Sequence, residues 1–154
     1  MSMNSDRRAE SPTPRLSALV TAVGIVRVGA GIALGGNPRS FLRWEGAVPP
    51  ESSMPLLMRT VGIRDLAIGL GTMLTAKSGS PDDLGRWIGA GLLSDALDVV
   101  AGLAGSTTMG VRGIVSAAIA APMVALDIAA LNEIRRMRRE RDVVGADGLR
   151  SGVL

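Results

Sequence analysis

The chain alternates long apolar blocks with short polar connections. Four blocks are each about 20 residues long, the length at which a helix crosses a hydrocarbon core roughly 30 Å thick. They span about 16–36, 56–76, 84–105 and 111–131. None has the charged outer face that a surface helix of a soluble protein carries. The pattern predicts an all-α integral membrane protein, with four transmembrane helices in an up-down bundle.

The first connection contains a capping signal. Asn37 followed by Pro38 is typical of an N-cap with proline at the first helical position. We expect a short helix at about 38–46 that lies at the membrane interface, with Phe41 and Trp44 at headgroup level.

The two later connections are shorter. Ser80, Pro81 and the two acids after them are typical of the start of a helix, with Ser80 as its cap. The sequence GSTTMG, at 105–110, predicts a short hairpin between the last two spans.

Basic residues flank the apolar blocks unevenly. They are concentrated in the N-terminal arm, in the connection before the third block and in the C-terminal tail. The positive-inside rule then predicts a multi-pass protein of the plasma (inner) membrane with both termini in the cytoplasm. Residues 1–15 form a disordered cytoplasmic arm in this prediction, 16–131 the transmembrane domain and 132–154 a basic tail. The fourth helix should continue into that tail, where Arg136 and Glu140 have i,i+4 spacing.

Composition excludes several kinds of chemistry. The chain is 47% hydrophobic and has neither Cys nor His. It therefore lacks the residues for a disulfide, a thiol nucleophile, a Cys/His zinc site or a Ser-His-Asp triad. Its net charge of +3 does not form one broad basic patch of the kind that binds nucleic acid. We expect no catalytic residues, no metal, no cofactor and no nucleic-acid partner.

Two other interpretations of the blocks are weaker. A cleaved signal peptide in the first block is disfavoured, because Arg27 interrupts the block and three further blocks follow. Core helices of a soluble bundle are disfavoured by the many glycines of the blocks and by their lack of charged faces.

Charged residues lie inside every predicted span. Those that lie away from the ends of the spans are Arg27, Arg64, Asp65, Asp95, Asp98 and Asp127. Each costs about 2.5–3.5 kcal/mol on an insertion scale, so six unpaired charges would cost roughly 15–20 kcal/mol. We therefore predict that they face inward and form one intramembrane charge network.

Helical geometry suggests how these charges pair. Arg64 and Asp65 are about 100° apart around their helix and should not easily satisfy each other. Arg64 is expected to reach Asp95 or Asp98, while Asp65 turns toward Arg27.

Glycines near the charges would let the helices come close. Gly31 with Gly35, and Gly85 with Gly89, have the small-xxx-small spacing of close helix crossings.

Two arginines face four aspartates in this network, so at least one acid is protonated or meets water, an ion or a partner. Three interpretations stay open. In the first, the network is structural and fixes the order of the helices. In the second, it is a proton or cation pathway or a polar pocket for a charged substrate. In the third, it is an interface where a partner helix supplies the missing cation.

The segment RTVGIRDLAIGLG at 59–71, followed by LLSDALDVVAG at 92–102, resembles a group of small bacterial four-helix membrane proteins of unknown function. Those proteins carry a Gly-x-Arg-(Asp/Glu)-Leu-x-x-Gly pattern in the second helix and an Asp-rich third helix. Gly62, Arg64, Asp65, Leu66 and Gly69 match the first pattern here. The resemblance covers the apolar core and implies a four-helix architecture with a paired Arg/Asp core, without any reaction or cofactor.

The predicted function is a small non-enzymatic membrane protein, an accessory or assembly component that works in the lipid bilayer with a membrane-protein partner or as a homo-oligomer. The alternative is a small proton- or cation-coupled transporter or channel that uses Asp95 and Asp98.

Overall fold

A computed structural model of the chain describes residues 13–44, 53–78 and 81–151. These residues form five helices and no strand. The helices are α1 (Pro14–Gly36), α2 (Pro38–Trp44), α3 (Ser53–Ser78), α4 (Pro81–Met109) and α5 (Val111–Ser151). The all-α prediction is confirmed for this part of the chain. Four predictions lie outside the described residues: the arm over 1–12, the interfacial helix beyond residue 44, the cap at Ser80 and the tail over 152–154.

The first helix begins earlier than the hydropathy pattern indicates. Thr13 is its N-cap, because the Thr13 hydroxyl accepts a hydrogen bond from the backbone N–H of Leu16 at 3.2 Å. Pro14 takes the first helical position, where its missing N–H costs no hydrogen bond. Residues 13–15 therefore belong to α1 and its cap, and the predicted disordered arm is wrong for these three residues.

The short second helix starts where the capping signal predicts. The Asn37 side-chain oxygen accepts from the backbone N–H of Ser40 at 3.3 Å, and Pro38 opens the helix. The same residue ends α1, because its own N–H donates to the carbonyl of Ala33. Asn37 thus forms the whole corner between α1 and α2.

The predicted hairpin at 105–110 is almost entirely helical. The hydroxyls of Ser106, Thr107 and Thr108 each donate to the carbonyl three residues earlier, at 2.6–3.1 Å, and the helix passes through them. The turn is Gly110 alone, whose φ of 61° is the left-handed conformation that ends helices. Its N–H donates to the Ser106 carbonyl at 2.9 Å.

The last helix continues far beyond the predicted span, as expected of the tail. It contains 41 residues, about 60 Å of rod. Arg136 and Glu140 form the predicted i,i+4 pair at 3.0 Å. Arg138 pairs with Asp82 at the start of α4 at 2.6 Å, which ties the helix to its neighbour just beyond the apolar part.

The four long helices form a ring in which consecutive helices are antiparallel neighbours. The closest packing is within two pairs, α1 with α3 and α4 with α5. The contacts of α3 with α4 and of α1 with α5 are less extensive, and α2 rests on α1 and α3. Among the described residues, the backbones of α1 and α4 do not come close to each other, nor do those of α3 and α5, so each of these two pairs lies across a diagonal of the ring.

Glycines determine how closely the helices approach in the two tightly packed pairs, but only some of the glycines predicted for close crossings do so. A Cβ on Gly31 would lie 2.7 Å from the Gly62 carbonyl oxygen and from the Leu66 backbone nitrogen, so α1 and α3 touch backbone to backbone. Gly102 and Gly113 serve the same purpose between α4 and α5.

The predicted crossing at Gly85 and Gly89 is wrong. Nothing lies within 4 Å of a Cβ on Gly89, and only the end of the Arg138 side chain approaches one on Gly85. The spacing of the two glycines is right for a close crossing, but their face of α4 does not meet another backbone.

An apolar core joins the two pairs at one end of the bundle, near the start of α1 and α4. It consists of the buried residues Leu16, Val20, Leu84, Ile88, Ala130 and Ile134. The charged residues of the predicted network lie farther from that end, toward the middle of the bundle.

Three helices are long and apolar enough to cross a membrane: Pro14–Gly36, Pro81–Met109 and the Val111–Val143 part of α5. Three of the four predicted spans are confirmed in this sense. The 26 residues of α3 are long enough, but they are less apolar. Any stretch of α3 long enough to cross contains Arg64, Asp65 and at least one of Arg59 and Lys77.

Candidate functional site

Arg27 occupies the centre of the bundle. Its side chain is 2% exposed, and it extends from α1 between the three other long helices. Glycines on two of them make room for it. A Cβ on Gly69 of α3 would lie 2.9 Å from the Arg27 Cβ, and one on Gly91 of α4 would lie 2.5 Å from Arg27 Nη2. A larger residue at either position would occupy the space of the arginine.

The guanidinium of Arg27 meets one carboxylate from each of the other long helices. Nη2 donates to Asp95 Oδ2 of α4 at 2.5 Å and to Asp127 Oδ2 of α5 at 2.7 Å. Nη1 lies 3.6 Å from Asp65 Oδ1 of α3. Arg27 is thus the one group in this cluster that contacts all three neighbouring elements.

Arg64 forms a second centre beside the first. It binds both carboxylate oxygens of Asp98, with Nη2 at 2.7 Å from Oδ2 and Nη1 at 3.3 Å from Oδ1. This two-point geometry is typical of a strong arginine–carboxylate pair. Of the two partners expected for Arg64, the structure selects Asp98.

Arg64 also contacts its neighbour in sequence, which corrects the expectation that the two residues could not satisfy each other. Its Nε and Nη2 both donate to Asp65 Oδ1, at 3.3 and 3.2 Å. The long side chain reaches back around the helix, so the angle between the two Cβ directions does not separate the charged groups. Asp65 Oδ1 consequently bridges Arg64 and Arg27 and joins the two centres.

All six predicted residues therefore lie in one cluster, in which two guanidinium groups face four carboxylates. The formal charge of these side chains, all ionised, is −2. Arg27, Asp95 and Asp127 are buried, whereas 32% of the Arg64 side chain and 37% of the Asp98 side chain remain uncovered by the chain. The cluster thus has a closed part around Arg27 and an open part at Arg64 and Asp98.

Several buried polar atoms, in the cluster or elsewhere on the inward faces of the helices, have no hydrogen-bond partner among the described residues. They are Arg27 Nε, Asp127 Oδ1, Ser94 Oγ and Thr72 Oγ1. Asp127 and Thr72 are completely buried. Unsatisfied polar atoms are costly in such surroundings, so the closed part of the cluster retains capacity to bind a proton or a small polar group.

Sequence reasoning missed Ser94 and Thr72. Each does lie on an inward face, because Ser94 precedes Asp95 and Thr72 is seven residues after Asp65, about two helical turns. That spacing was the available signal. The contact of Arg138 with Asp82, and that of the Thr13 hydroxyl with Glu133 at 3.1 Å, had no sequence signal, because both depend on the tertiary arrangement.

The chemistry of the cluster is limited by its composition. Among the described residues, no group of three or more Asp, Glu, His or Cys side chains has a geometry that could hold a metal ion. Three carboxylates do surround one point, but a guanidinium occupies it. The arrangement can hold helices together, accept protons or meet a charged group of another molecule.

No protein-family model, curated protein or solved structure matches the chain.

Proposed function

We propose that the chain is a small non-enzymatic integral membrane protein, an accessory or assembly component whose four spanning helices are held in order by the Arg/Asp cluster. The observation that carries the proposal is that Arg27 contacts an acid from each of the other three long helices. A helix that is missing or wrongly placed would leave a buried charge unpaired, at a cost of about 3–5 kcal/mol. The cluster therefore favours one arrangement of the helices over the others.

The proposal includes α3 as the fourth span, although α3 lacks the long, nearly uncharged apolar stretch that each of the three other long helices contains. It packs along α1 more closely than against any other helix, and its 26 residues extend about 39 Å. Its two central charges are paired within the cluster, and Arg59 and Lys77 lie near opposite ends of the helix. Such end residues extend toward the interface in membrane helices.

We further propose the plasma (inner) membrane, with both termini in the cytoplasm. The positively charged residues of α5 beyond the apolar part support this orientation. The resemblance to small four-helix bacterial membrane proteins agrees with the same architecture, and membership of that group stays a prediction.

A membrane partner is part of the proposal because of the open part of the cluster. Arg64 and Asp98 leave about a third of their side-chain surfaces uncovered near the middle of their helices. Contact of this ion pair with lipid would be unfavourable. A polar helix of another protein, or of a second copy, would cover the pair and meet its free hydrogen-bonding positions.

A second function is favoured by a different observation. The cluster has more carboxylates than guanidinium groups, and Asp127 Oδ1 is buried without a partner among the described residues. A proton- or cation-coupled transporter or channel would use such acids, with the partly open Asp98 as the entry and Asp95 as the next site inward.

Site-specific photo-crosslinking in intact membranes tests the accessory function. A crosslinking amino acid at Leu97, which is exposed next to Asp98, should capture one defined polypeptide. The matched position is Ile119 of α5, which is also exposed but belongs to another helix. The proposal is supported if the probe at Leu97 captures this polypeptide in the wild type, loses the capture when Arg64→Gln is added, and keeps it when the control substitution Arg136→Gln is added. Equal labelling at both positions, or none, contradicts it.

Flux measurements in liposomes separate the two functions. A proton or cation flux that Asp95→Asn and Asp98→Asn abolish, while the protein stays folded, would establish the transporter and overturn the accessory role. If liposomes that contain the wild-type protein show the same flux as empty liposomes, and the two variants do as well, the transporter is excluded.

A further inference from the structure

A cavity lies at the corner of α1, α2 and α3, on the opposite end of the bundle from the apolar core. It measures about 390 Å³, within the range of volumes that hold small ligands. Its lining includes Asn37, Arg39 of α2, and Pro55, Leu56 and Arg59 of α3. Two helices thus contribute one arginine each to a single concave surface.

Neither arginine forms an ion pair with a residue that the structure describes, whereas several other arginines of α1, α3, α4 and α5 do. The described residues nearest in sequence, 31–44 and 53–62, contain no acid. Glu45 and Glu51 lie outside the described residues; with them counted, the segment 31–62 has three arginines against two acids and stays net positive. Such a surface attracts an anion that can accept hydrogen bonds from guanidinium groups, and phosphate is the anion that arginine binds with two parallel hydrogen bonds.

An apolar stripe leads away from the cavity along α3. Leu56 lines the cavity, and Ile63, Leu70 and Leu74 follow it at helical spacing on the same side. All four are at least 45% exposed. From Leu56 to Leu70 the stripe is about 21 Å long, more than the roughly 15 Å depth of one leaflet's hydrocarbon.

We propose that the cavity binds the phosphate group of an anionic phospholipid, with an acyl chain along the exposed stripe of α3. Free phosphate has the same anionic chemistry, but it would use only the cavity. The site is separate from the Arg/Asp cluster; it rests on the proposed position of α3 in the membrane, but not on the accessory or transport role.

The charge test uses the full chain purified in a neutral detergent. Native mass spectrometry measures the binding of phosphatidylglycerol and of phosphatidylcholine with the same acyl chains. The wild type should bind one phosphatidylglycerol in preference to phosphatidylcholine. Arg39→Gln and Arg59→Gln should each weaken this binding roughly fivefold, and the double variant more strongly.

Arg43→Gln is the matched control. Arg43 lies on α2 one turn from Arg39, is exposed, and donates from Nε to the Arg39 carbonyl at 3.4 Å, but it does not line the cavity. Its removal changes the net charge by the same amount and should alter the affinity less than twofold. An equal loss in Arg43→Gln would show diffuse attraction to a basic surface and would overturn the site.

The source of the phosphate is tested in the same preparation. Inorganic phosphate at millimolar concentration should not displace phosphatidylglycerol, because it cannot contact the stripe. Complete displacement would overturn the lipid assignment. Ile63→Ser should weaken the lipid complex, and an unchanged affinity in that variant would likewise contradict the role of α3. If Arg39→Gln and Arg59→Gln lower thermal stability without altering lipid affinity, the arginines have a structural role and the proposal is wrong.

Discussion

Arg27 Nη2 and Asp95 Oδ2 lie 2.5 Å apart and join α1 to α4 across the diagonal of the helix ring. The backbones of the two helices do not come close to each other, so this hydrogen bond spans the interior of the bundle. The same nitrogen binds Asp127 of α5, which packs directly beside α1. One side chain therefore makes both a neighbour contact and a diagonal contact, and the bundle depends on its length and its forked shape.

Replacing Arg27 should be among the most damaging single changes in the chain. Arg27→Gln leaves three carboxylates around a neutral group, and we expect a loss of about 3–5 kcal/mol of unfolding free energy. Arg27→Lys should restore only part of it, because one ammonium cannot reproduce the fork. The measurement is reversible unfolding in mixed micelles. Arg15→Gln, exposed on the same helix, is the control. An Arg27→Gln variant as stable as this control would contradict the central role of the cluster.

A single methyl group at Gly91 should disturb the cluster without changing its charge. A Cβ at that position would lie 2.5 Å from Arg27 Nη2 and 3.0 Å from Asp127 Oδ2, so the guanidinium must shift. We expect Gly91→Ala to destabilise by about 1–3 kcal/mol, as overpacking does.

Gly89→Ala tests the same substitution two residues away on the same helix. A Cβ at position 89 would have nothing within 4 Å, and alanine forms helices better than glycine. The free energy of unfolding should therefore stay equal or rise by up to about 1 kcal/mol. Thermal unfolding of both variants decides the matter. Equal effects at the two positions would mean that Gly91 does not make space for Arg27.

The contact between α1 and α3 should depend on Gly31. A Cβ there would press on backbone atoms of Gly62 and Leu66, which cannot rotate away, so Gly31→Ala must push the two helices apart. We expect a loss of at least about 2 kcal/mol. The control is Gly29→Ala on the same helix, whose Cβ would meet nothing within 4 Å. Disulfide crosslinking between cysteines introduced on α1 and α3 would report the separation, and an unchanged yield in Gly31→Ala would refute the prediction.

Arg64 and Asp98 should be coupled more strongly than an exposed pair. A double-mutant cycle with Arg64→Gln and Asp98→Asn should give a coupling energy of about 1 kcal/mol or more, since the pair has two-point geometry and is partly buried. The same cycle for Arg136 and Glu140, whose side chains are over 60% exposed, should give about 0.3–0.5 kcal/mol. Coupling energies of equal size would place Arg64 and Asp98 among ordinary surface pairs.

Much of the fold follows from local sequence signals. Apolar blocks and proline positions predict the long helices, and Asn37 with Pro38 predicts the start of α2, because caps act within one turn. The hydroxyl residues before Gly110 predict a hairpin, since Ser and Thr favour turns. In the structure their hydroxyls donate to backbone carbonyls within α4, and the helix continues through them.

The members of the charge cluster could be predicted, but their pairing only in part. The free-energy cost of exposing a charge to lipid is enough to indicate that Arg27 and its acids face inward. The contact of Arg64 with Asp65 depends on side-chain conformation, and the exclusion of Gly85 and Gly89 from a crossing depends on how α4 is rotated. Helical periodicity shows which residues share a face of a helix. Which pair of glycines lies at a close helix crossing depends on tertiary packing.

The distance of 100 residues between Arg27 and Asp127 also sets an order of events during synthesis. At about 5–20 residues per second, Arg27 emerges roughly 5–20 s before its last carboxylate. Asp65 arrives first, on the helix that packs most closely with α1. We expect a chain ending at Ser78 to enter the membrane and to be degraded rapidly, and a separately expressed α4–α5 segment to extend its half-life in pulse-chase labelling. The last helix would then act as a checkpoint in biogenesis, because only its acid completes the set around the first helix's arginine.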